Sequence, residues 1–176
     1  MNPKRIAVQK GDITRLHVDA IVNAANKNLV ETGGVSGAIH QAAGPELLEA
    51  ARELGGAETG DVRVTPGFDL YASYVFHAVG PVYQDGQSGE REQLASCYKK
   101  SLDLAVEYRC STLAFPNIST GIFGYPKEEA AQVAFDTVAS CLEDPHYDFI
   151  DQVIFVVFDD TNKSLYHRLL SDYFSK

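Results

Sequence analysis

Short apolar runs alternate along the chain with stretches whose apolar residues recur every three or four positions. The runs predict strands and the longer periodic stretches predict helices. The expected strands are Ile6–Gln9, Ala20–Asn23, Val62–Thr65, Tyr74–Val79, Thr112–Phe115 and Val153–Phe158. The expected helices are Ser36–Ala43, Pro45 to about Leu54, Arg91–Tyr108, one that begins at Pro126, and a last one that carries Leu165, Leu169 and Tyr173. This order predicts an α/β domain in which helices flank a sheet.

Neither repeats nor a linker interrupt the pattern, so we expect one domain over residues 1–176. With 45% hydrophobic residues, the chain can bury a full core without disulfides. The three cysteines are scattered and form no C-x-x-C pair, which favours a reducing, cytoplasmic location. No signal peptide is expected at Met1, and the run Val153–Phe158 is too short to cross a membrane. A monomer is the default for so small a domain.

The formal net charge is −9, which argues against a broad nucleic-acid surface because such a surface needs a basic face. A small anionic ligand is still compatible with this charge. Local N–H dipoles would hold it against an unfavourable long-range field that salt partly screens.

A glycine turn lies between the second strand and the first helix, with Gly33, Gly34 and Gly37 in the pattern G-G-x-x-G. Glycines that open a helix allow backbone N–H groups to approach a phosphate or diphosphate. The alternative is a turn whose glycines only permit tight packing. The spacing matches neither the dinucleotide-binding fingerprint nor the lysine-containing P-loop.

Four polar or glycine-rich loops directly follow predicted strands: Gly11–Thr14, Asn23–Gly37, Asn117–Gly124 and Asp159–Asn162. If the strands are largely parallel, these loops gather at one edge of the sheet, where open α/β sheets bind ligands. Two glycine loops would then enclose a diphosphate. Asp12 or Asp159 would accept a hydrogen bond from an amine or hydroxyl of the ligand.

Several motifs in this order resemble the macrodomain family, and within it the MacroD-type branch. The resemblance covers essentially the whole chain, through Gly11–Thr14, Asp19–Asn26, Gly33–His40, His77–Pro81 and Ala114–Pro126. It implies a three-layer α/β/α sandwich with a mixed central sheet. It also implies a cleft for ADP-ribose or its conjugates, including mono-ADP-ribosylated proteins, with no cofactor and no metal.

The resemblance also implies a role for each site residue. Asp12 would accept from the adenine amino group, Ile13 would offer its N–H to the ring, and Asn26 would reach the distal ribose. The diphosphate would be bound by backbone amides of two loops: Gly33, Gly34, Val35, Ser36 and Gly37, and Ser119, Thr120, Gly121, Ile122 and Phe123. Phe123 would pack on the distal ribose and Phe158 near the adenine. From the residues alone, a turn former or helix cap is the better interpretation of Asp12 and a core residue that of Phe123, while for Phe158 a core position is equally expected.

The chain departs from the MacroD-type pattern in the first glycine loop. Glu31 and Thr32 replace the first glycines, and Ser36 replaces an aspartate thought to activate the attacking water. A serine cannot act as a carboxylate base, although it can position a water or a ribose hydroxyl. Three compensations are open: a diphosphate oxygen takes the proton, Asn26 holds the water, or Glu31 enters the site. His40 and His77 are expected to be structural.

The leading expectation, which rests on the resemblance, is a domain that binds ADP-ribose and hydrolyses O-acetyl-ADP-ribose or ADP-ribosylated proteins. Asn26 and Ser36 are the candidate catalytic residues. A non-catalytic ADP-ribose reader is the second. A third reading, an RNA-associated regulator, is disfavoured by the acidic charge.

Overall fold

The computed structural model describes residues 1–30 and 33–176 and contains a six-stranded sheet in that part of the chain. The strands are β1 (Ile6–Lys10), β2 (Ala20–Ala25), β3 (Val62–Pro66), β4 (Tyr74–Val79), β5 (Thr112–Phe115) and β6 (Gln152–Val157). The helices are α1 (Gly34–Ala43), α2 (Pro45–Glu53), α3 (Glu90–Glu107), α4 (Lys127–Glu143) and α5 (Asp160–Phe174). Short 3-10 turns cover Pro3–Arg5, Ile13–Arg15 and Pro145–Tyr147.

The sheet is mixed, with the strand order β1-β6-β5-β2-β4-β3. All neighbouring pairs are parallel except β3 and β4, which are antiparallel. The antiparallel strand lies at an edge, so the five other strands all point their carboxyl ends the same way.

Helices cover both faces of the sheet, because successive side chains of each central strand point to opposite faces. Ile21 and Ile154 belong to a buried cluster with residues of α1 and α2, whereas the next residues, Val22 and Phe155, belong to a cluster with residues of α3, α4 and α5. This arrangement confirms the predicted three-layer α/β/α sandwich with a mixed central sheet. Nowhere in residues 1–30 and 33–176 is a helix both long and apolar enough to cross a membrane.

The junction of α1 and α2 shows how the sequence sets a helix boundary. Gly44 ends α1 with φ +90°, and its N–H donates to the carbonyl of His40 at 3.1 Å. Pro45 then opens α2 at a position where the missing N–H costs nothing. A side chain at Gly44 would be strained by its backbone conformation and would meet Asp69.

Two predicted boundaries differ in a way that matters for the site. The strand predicted as Val153–Phe158 ends at Val157, so Phe158 begins the loop that follows. The helix predicted as Arg91–Tyr108 begins one residue earlier, at Glu90, which is 2% exposed.

Candidate functional site

The carboxyl ends of β1, β6, β5 and β2 meet at one edge of the sheet, because these strands are adjacent and parallel. The four polar loops that follow them therefore lie side by side, as the sequence predicted. Such an edge is where open α/β sheets bind ligands.

An apolar pocket of about 370 Å³ lies at this edge between the ends of β1 and β6 and the helix α1. It is lined by Lys10, Gly11, Asp12, Ile13, Val35, Ala38 and Phe158, and we call it the Phe158 pocket. Phe158 is 59% exposed, so the alternative that it belongs to the core is wrong. Apolar walls with a carboxylate among them suit a planar base that carries an amino group.

Asp12 caps the 3-10 turn that begins at Ile13, which confirms the capping alternative. Its Oδ1 accepts from the hydroxyl and the N–H of Thr14 at 2.7 and 2.9 Å. These bonds, the hydroxyl first, hold the pKa of Asp12 below its ordinary value of 3.8. Its Oδ2 lies 3.7 Å from Nε of Arg15 and accepts no hydrogen bond from the described residues. One oxygen of an ionised carboxylate thus still faces outward, and its binding to an adenine amino group stays a prediction.

The first glycine loop leads into α1 through Gly33 and Gly34, whose φ angles of +85° and +55° favour glycine. In the described part of the chain, nothing accepts a hydrogen bond from the amides of Gly34, Val35 and Ser36. The amide of Gly37, by contrast, donates to the carbonyl of Gly33 at 3.0 Å. The first turn of α1 therefore presents three N–H groups that no described residue accepts, together with the positive end of the helix dipole.

Ser36 lies on the inner side of this turn, where it is 2% exposed. Its Oγ has no hydrogen-bond partner among the described residues. A buried hydroxyl without a partner is costly, and such groups are usually satisfied by an ordered water or a ligand. Ser36 is therefore placed to hold a water or a ligand hydroxyl. Glu31 and Thr32, the other departures from the MacroD-type pattern, lie outside the described residues.

The second glycine loop connects β5 to α4 and is closed by its own backbone. Tyr125 donates its N–H to the carbonyl of Ser119 at 2.8 Å, and Gly124 donates to Gly121 at 3.0 Å. The amides from Thr120 to Phe123 have no acceptor in the described residues. A Cβ built on Gly121 meets no atom within 4 Å, so this stretch faces open space. Ile122 is 95% exposed at the tip of the loop.

Gly80 allows the second glycine loop to pack against the end of β4. A Cβ at Gly80 would lie 2.2 Å from Oγ of Ser119 and 2.6 Å from Cγ2 of Ile118. Any side chain there would push the loop outward. The periodicity that predicted the strand Tyr74–Val79 gave no sign of this contact, because a close approach between distant loops leaves no local trace.

Asn26 is the first residue after β2 and is half-buried. Its Oδ1 accepts from the N–H of Val30 at 3.3 Å, and its carbonyl accepts from Leu29 at 3.0 Å. Its Nδ2 has no acceptor in the described residues, so the side chain can still donate to a water or a ribose hydroxyl.

A buried polar network supports the sheet next to this loop. Nδ2 of Asn23 lies 3.2 Å from Nδ1 of His77, and Nε2 of His77 lies 2.9 Å from Oγ1 of Thr65. Burial, with a smaller effect of the nearby His40, lowers the pKa of His77 to about 3. His77 is therefore neutral at physiological pH, in keeping with the structural role expected for it.

Residues 22–134 match the family model of the Macro domain. A macro domain-containing protein of Chlorobaculum tepidum is 56% identical over 162 residues, which cover 92% of this chain and 93% of that protein. The chain belongs to the macrodomain family. The human ADP-ribose glycohydrolase MACROD2 is 46% identical over 173 residues, which cover 98% of this chain and 40% of the human protein.

Solved macrodomains share the fold. The Oceanobacillus iheyensis macrodomain with ADP aligns with a TM-score of 0.86 at 38% identity, covering 96% of this chain and 90% of that chain. The Trypanosoma brucei macrodomain in complex with ADP-ribose aligns with a TM-score of 0.88 at 37% identity, covering 94% of this chain and 69% of that chain.

Within this macrodomain, Asp159, the other carboxylate predicted to accept from a ligand, already has partners in the chain. It caps α5 by accepting from the N–H of Asn162 at 2.8 Å, and its Oδ2 lies 3.5 Å from Nζ of Lys127. The bond from Asn162 is the first cause that lowers the pKa of Asp159. Of the two carboxylates that the sequence offered as ligand acceptors, the structure leaves the Oδ2 of Asp12 the freer one. Within residues 1–30 and 33–176, no cluster of His, Cys, Asp and Glu has the arrangement of a metal site.

Proposed function

We propose that this macrodomain binds ADP-ribose along the loop edge of the sheet. The adenine occupies the Phe158 pocket, with Asp12 and Ile13 at its polar edge. The diphosphate lies between the bare amides of Gly34–Ser36 and those of Thr120–Phe123. The observation that carries the proposal is that these two sets of unpaired amides follow adjacent parallel strands.

The acidic charge of the chain does not oppose this binding at short range. Seven N–H groups without acceptors among residues 1–30 and 33–176 supply local positive potential, and phosphate oxygens are the acceptors that such groups favour. The net charge of −9 acts over longer distances, where salt screens it. The solved macrodomains with ADP and with ADP-ribose support a ligand of this class.

We further propose that the bound compound is a substrate, either O-acetyl-ADP-ribose or an ADP-ribosyl group on a protein. Asn26 donates from Nδ2 to the attacking water or to the distal ribose, and the hydroxyl of Ser36 positions the same water. Neither side chain can take a proton at neutral pH, so a diphosphate oxygen of the substrate accepts the proton that the attacking water loses. General-base assistance is typically worth about 10²–10⁴ in rate, so the hydrolysis is expected to be slow. The relationship to the ADP-ribose glycohydrolase MACROD2 supports this direction.

A non-catalytic reader is the second candidate, and the chemistry at Ser36 favours it. The residue is buried and carries no ionisable group, so the first turn of α1 offers no base from this position. In a reader, the hydroxyl would simply hold a ribose hydroxyl of the bound ligand.

Incubation with O-acetyl-ADP-ribose and with a mono-ADP-ribosylated protein separates the two candidates. The native chain is compared with Ser36→Asp, which adds a carboxylate, and with Ser36→Asn, whose new side chain has the shape of aspartate but no charge. The enzyme hypothesis predicts slow release of product by the native chain and by Ser36→Asn, and about 10²–10⁴-fold faster release by Ser36→Asp. Turnover by Ser36→Asp alone would leave only the reader.

A further inference from the structure

We infer that Glu90 is a positioning residue for the second glycine loop, and that it controls how tightly the diphosphate end of the ligand is bound. The inference rests on the proposed binding of ADP-ribose. It joins two segments that are distant in sequence, the loop before α3 and the loop before α4.

The carboxylate of Glu90 organises the segment Gln84–Ser88. Its Oε2 accepts from the N–H groups of Gln84, Asp85 and Gly86 at 2.9, 3.1 and 2.9 Å. Its Oε1 accepts from the N–H of Ser88 at 2.6 Å. Four backbone amides thus converge on one buried side chain, at the first residue of a helix where negative charge is also favoured.

The ordered segment continues directly into a contact with the second glycine loop. Tyr83, the residue before it, donates its N–H to the carbonyl of Phe123 at 2.8 Å. The ring of Tyr83 packs on that of Tyr125, which follows the same loop, with centroids 4.9 Å apart. A Cβ at Gly86 would lie 2.7 Å from Oη of Tyr83, so the folded segment also fits against this ring.

Phe123 carries one of the bare amides proposed for the diphosphate. A flexible loop must be ordered when it binds, and that ordering reduces affinity. Glu90 reduces this cost by fixing Gln84–Ser88, since this segment fixes Tyr83 and Tyr83 fixes Phe123. Loss of the carboxylate should therefore weaken ligands that reach Phe123 and spare ligands that occupy the Phe158 pocket alone.

The test compares Glu90→Gln with Asp19→Asn. Asp19 lies at the opposite edge of the sheet, where its Oδ2 accepts from the N–H of Ser111 and Thr112 and from the hydroxyl of Ser111. Asp19→Asn therefore removes a comparable carboxylate without touching either glycine loop, and reports the effect of lost stability alone. Glu90→Asp keeps the charge on a shorter side chain and provides a milder second variant.

Two measurements are made on each folded variant: the affinity for AMP and for ADP-ribose by calorimetry, and amide hydrogen exchange at Tyr83 and Gly124. We expect Glu90→Gln to lose about 10-fold in affinity for ADP-ribose and less than about 2-fold for AMP, with faster exchange at both amides. Asp19→Asn should change neither the ratio of affinities nor the exchange. An unchanged ratio in Glu90→Gln overturns the inference, whether or not exchange accelerates. A native chain that binds AMP and ADP-ribose equally would instead contradict the proposed function. If hydrogen exchange in Glu90→Gln were then also unaltered, the link between Glu90 and the second glycine loop would be refuted as well.

Discussion

Two loops at the same edge of the sheet use backbone amides in opposite ways. In Gln84–Ser88, four amides converge on the carboxylate of Glu90, so the negative partner is part of the chain. In Thr120–Phe123, four consecutive amides have no partner in the described residues. The first loop is a filled anion site and the second is an open one.

The difference shows what separates a structural loop from a binding loop when both are rich in polar residues and glycine. Glycine content does not distinguish them, since each contains glycine residues. What differs is whether an acidic side chain lies within reach of the amides. Successive backbone N–H groups can form a concavity that binds an anion, so a set of amides left open at the surface offers a site for an external anion.

The largest effect is expected from blocking the open loop. Gly121→Val should weaken ADP-ribose by about 100-fold or more, because a branched side chain would stand where a phosphate approaches the backbone. Apart from its two chain neighbours, no described residue has an atom within 4 Å of the new Cβ, so thermal unfolding should be nearly unchanged. Calorimetry with ADP-ribose measures the first effect, and native affinity in a folded variant would contradict the open-site assignment.

A smaller effect is expected at the adenine end. Asp12→Asn should weaken AMP and ADP-ribose alike by about 10-fold, because it replaces a charged acceptor with a group that can turn a donor toward the amino group. Thr14→Val is the matched control, since it removes the hydroxyl bond to Oδ1 and leaves Oδ2 untouched. Inosine monophosphate lacks the amino group and should lose no affinity in Asp12→Asn. A tenfold loss for that nucleotide would point to the cap rather than to base recognition.

Phe158→Ala should weaken the binding of AMP by roughly 2- to 12-fold, which corresponds to the roughly 0.5–1.5 kcal/mol of an aromatic contact. Phe158 is 59% exposed, so the free energy of unfolding should change by less than about 0.5 kcal/mol. Competition between AMP and a fluorescent ADP-ribose analogue measures the affinity for AMP of the variant and of the native chain. An unaltered affinity would place the base outside the Phe158 pocket.

The smallest effect concerns stability, and it tests the filled loop. The amide bonds, that from Gln84 first, lower the pKa of Glu90 from 4.5 to about 2. A carboxylate whose pKa is lowered by folding stabilises the protein fully above pH 4.5, and this contribution is lost as the pH falls toward 2. The native chain should therefore unfold a few degrees above Glu90→Gln at pH 7, and this gap should narrow below pH 4.5. A gap that is constant down to pH 2.5 would mean that the carboxylate is not held by the amides.

The fold and the site edge could be predicted because they depend on local patterns. Apolar runs placed all six strands, whereas the largely parallel arrangement entered only as a condition and the mixed sheet only through the family resemblance. Glu90 could not be found in this way, because its partners are backbone amides whose directions depend on the folded loop. Residue type alone also could not separate Asp12 from Asp159, since each caps a helical turn and only their surroundings differ. The predicted last strand included Phe158, whereas β6 ends at Val157 and leaves Phe158 exposed. Strand ends are the least certain part of a periodicity prediction.

The most direct test of the central claim is a titration of the uniformly ¹⁵N-labelled protein with ADP-ribose, followed by amide chemical shifts. The open-site account predicts the largest changes at Gly34–Ser36 and Thr120–Phe123. It predicts much smaller changes at Gln84–Ser88, where four of the five amides already bind Glu90. Large shifts in the filled loop, with none at the two open sets, would contradict it.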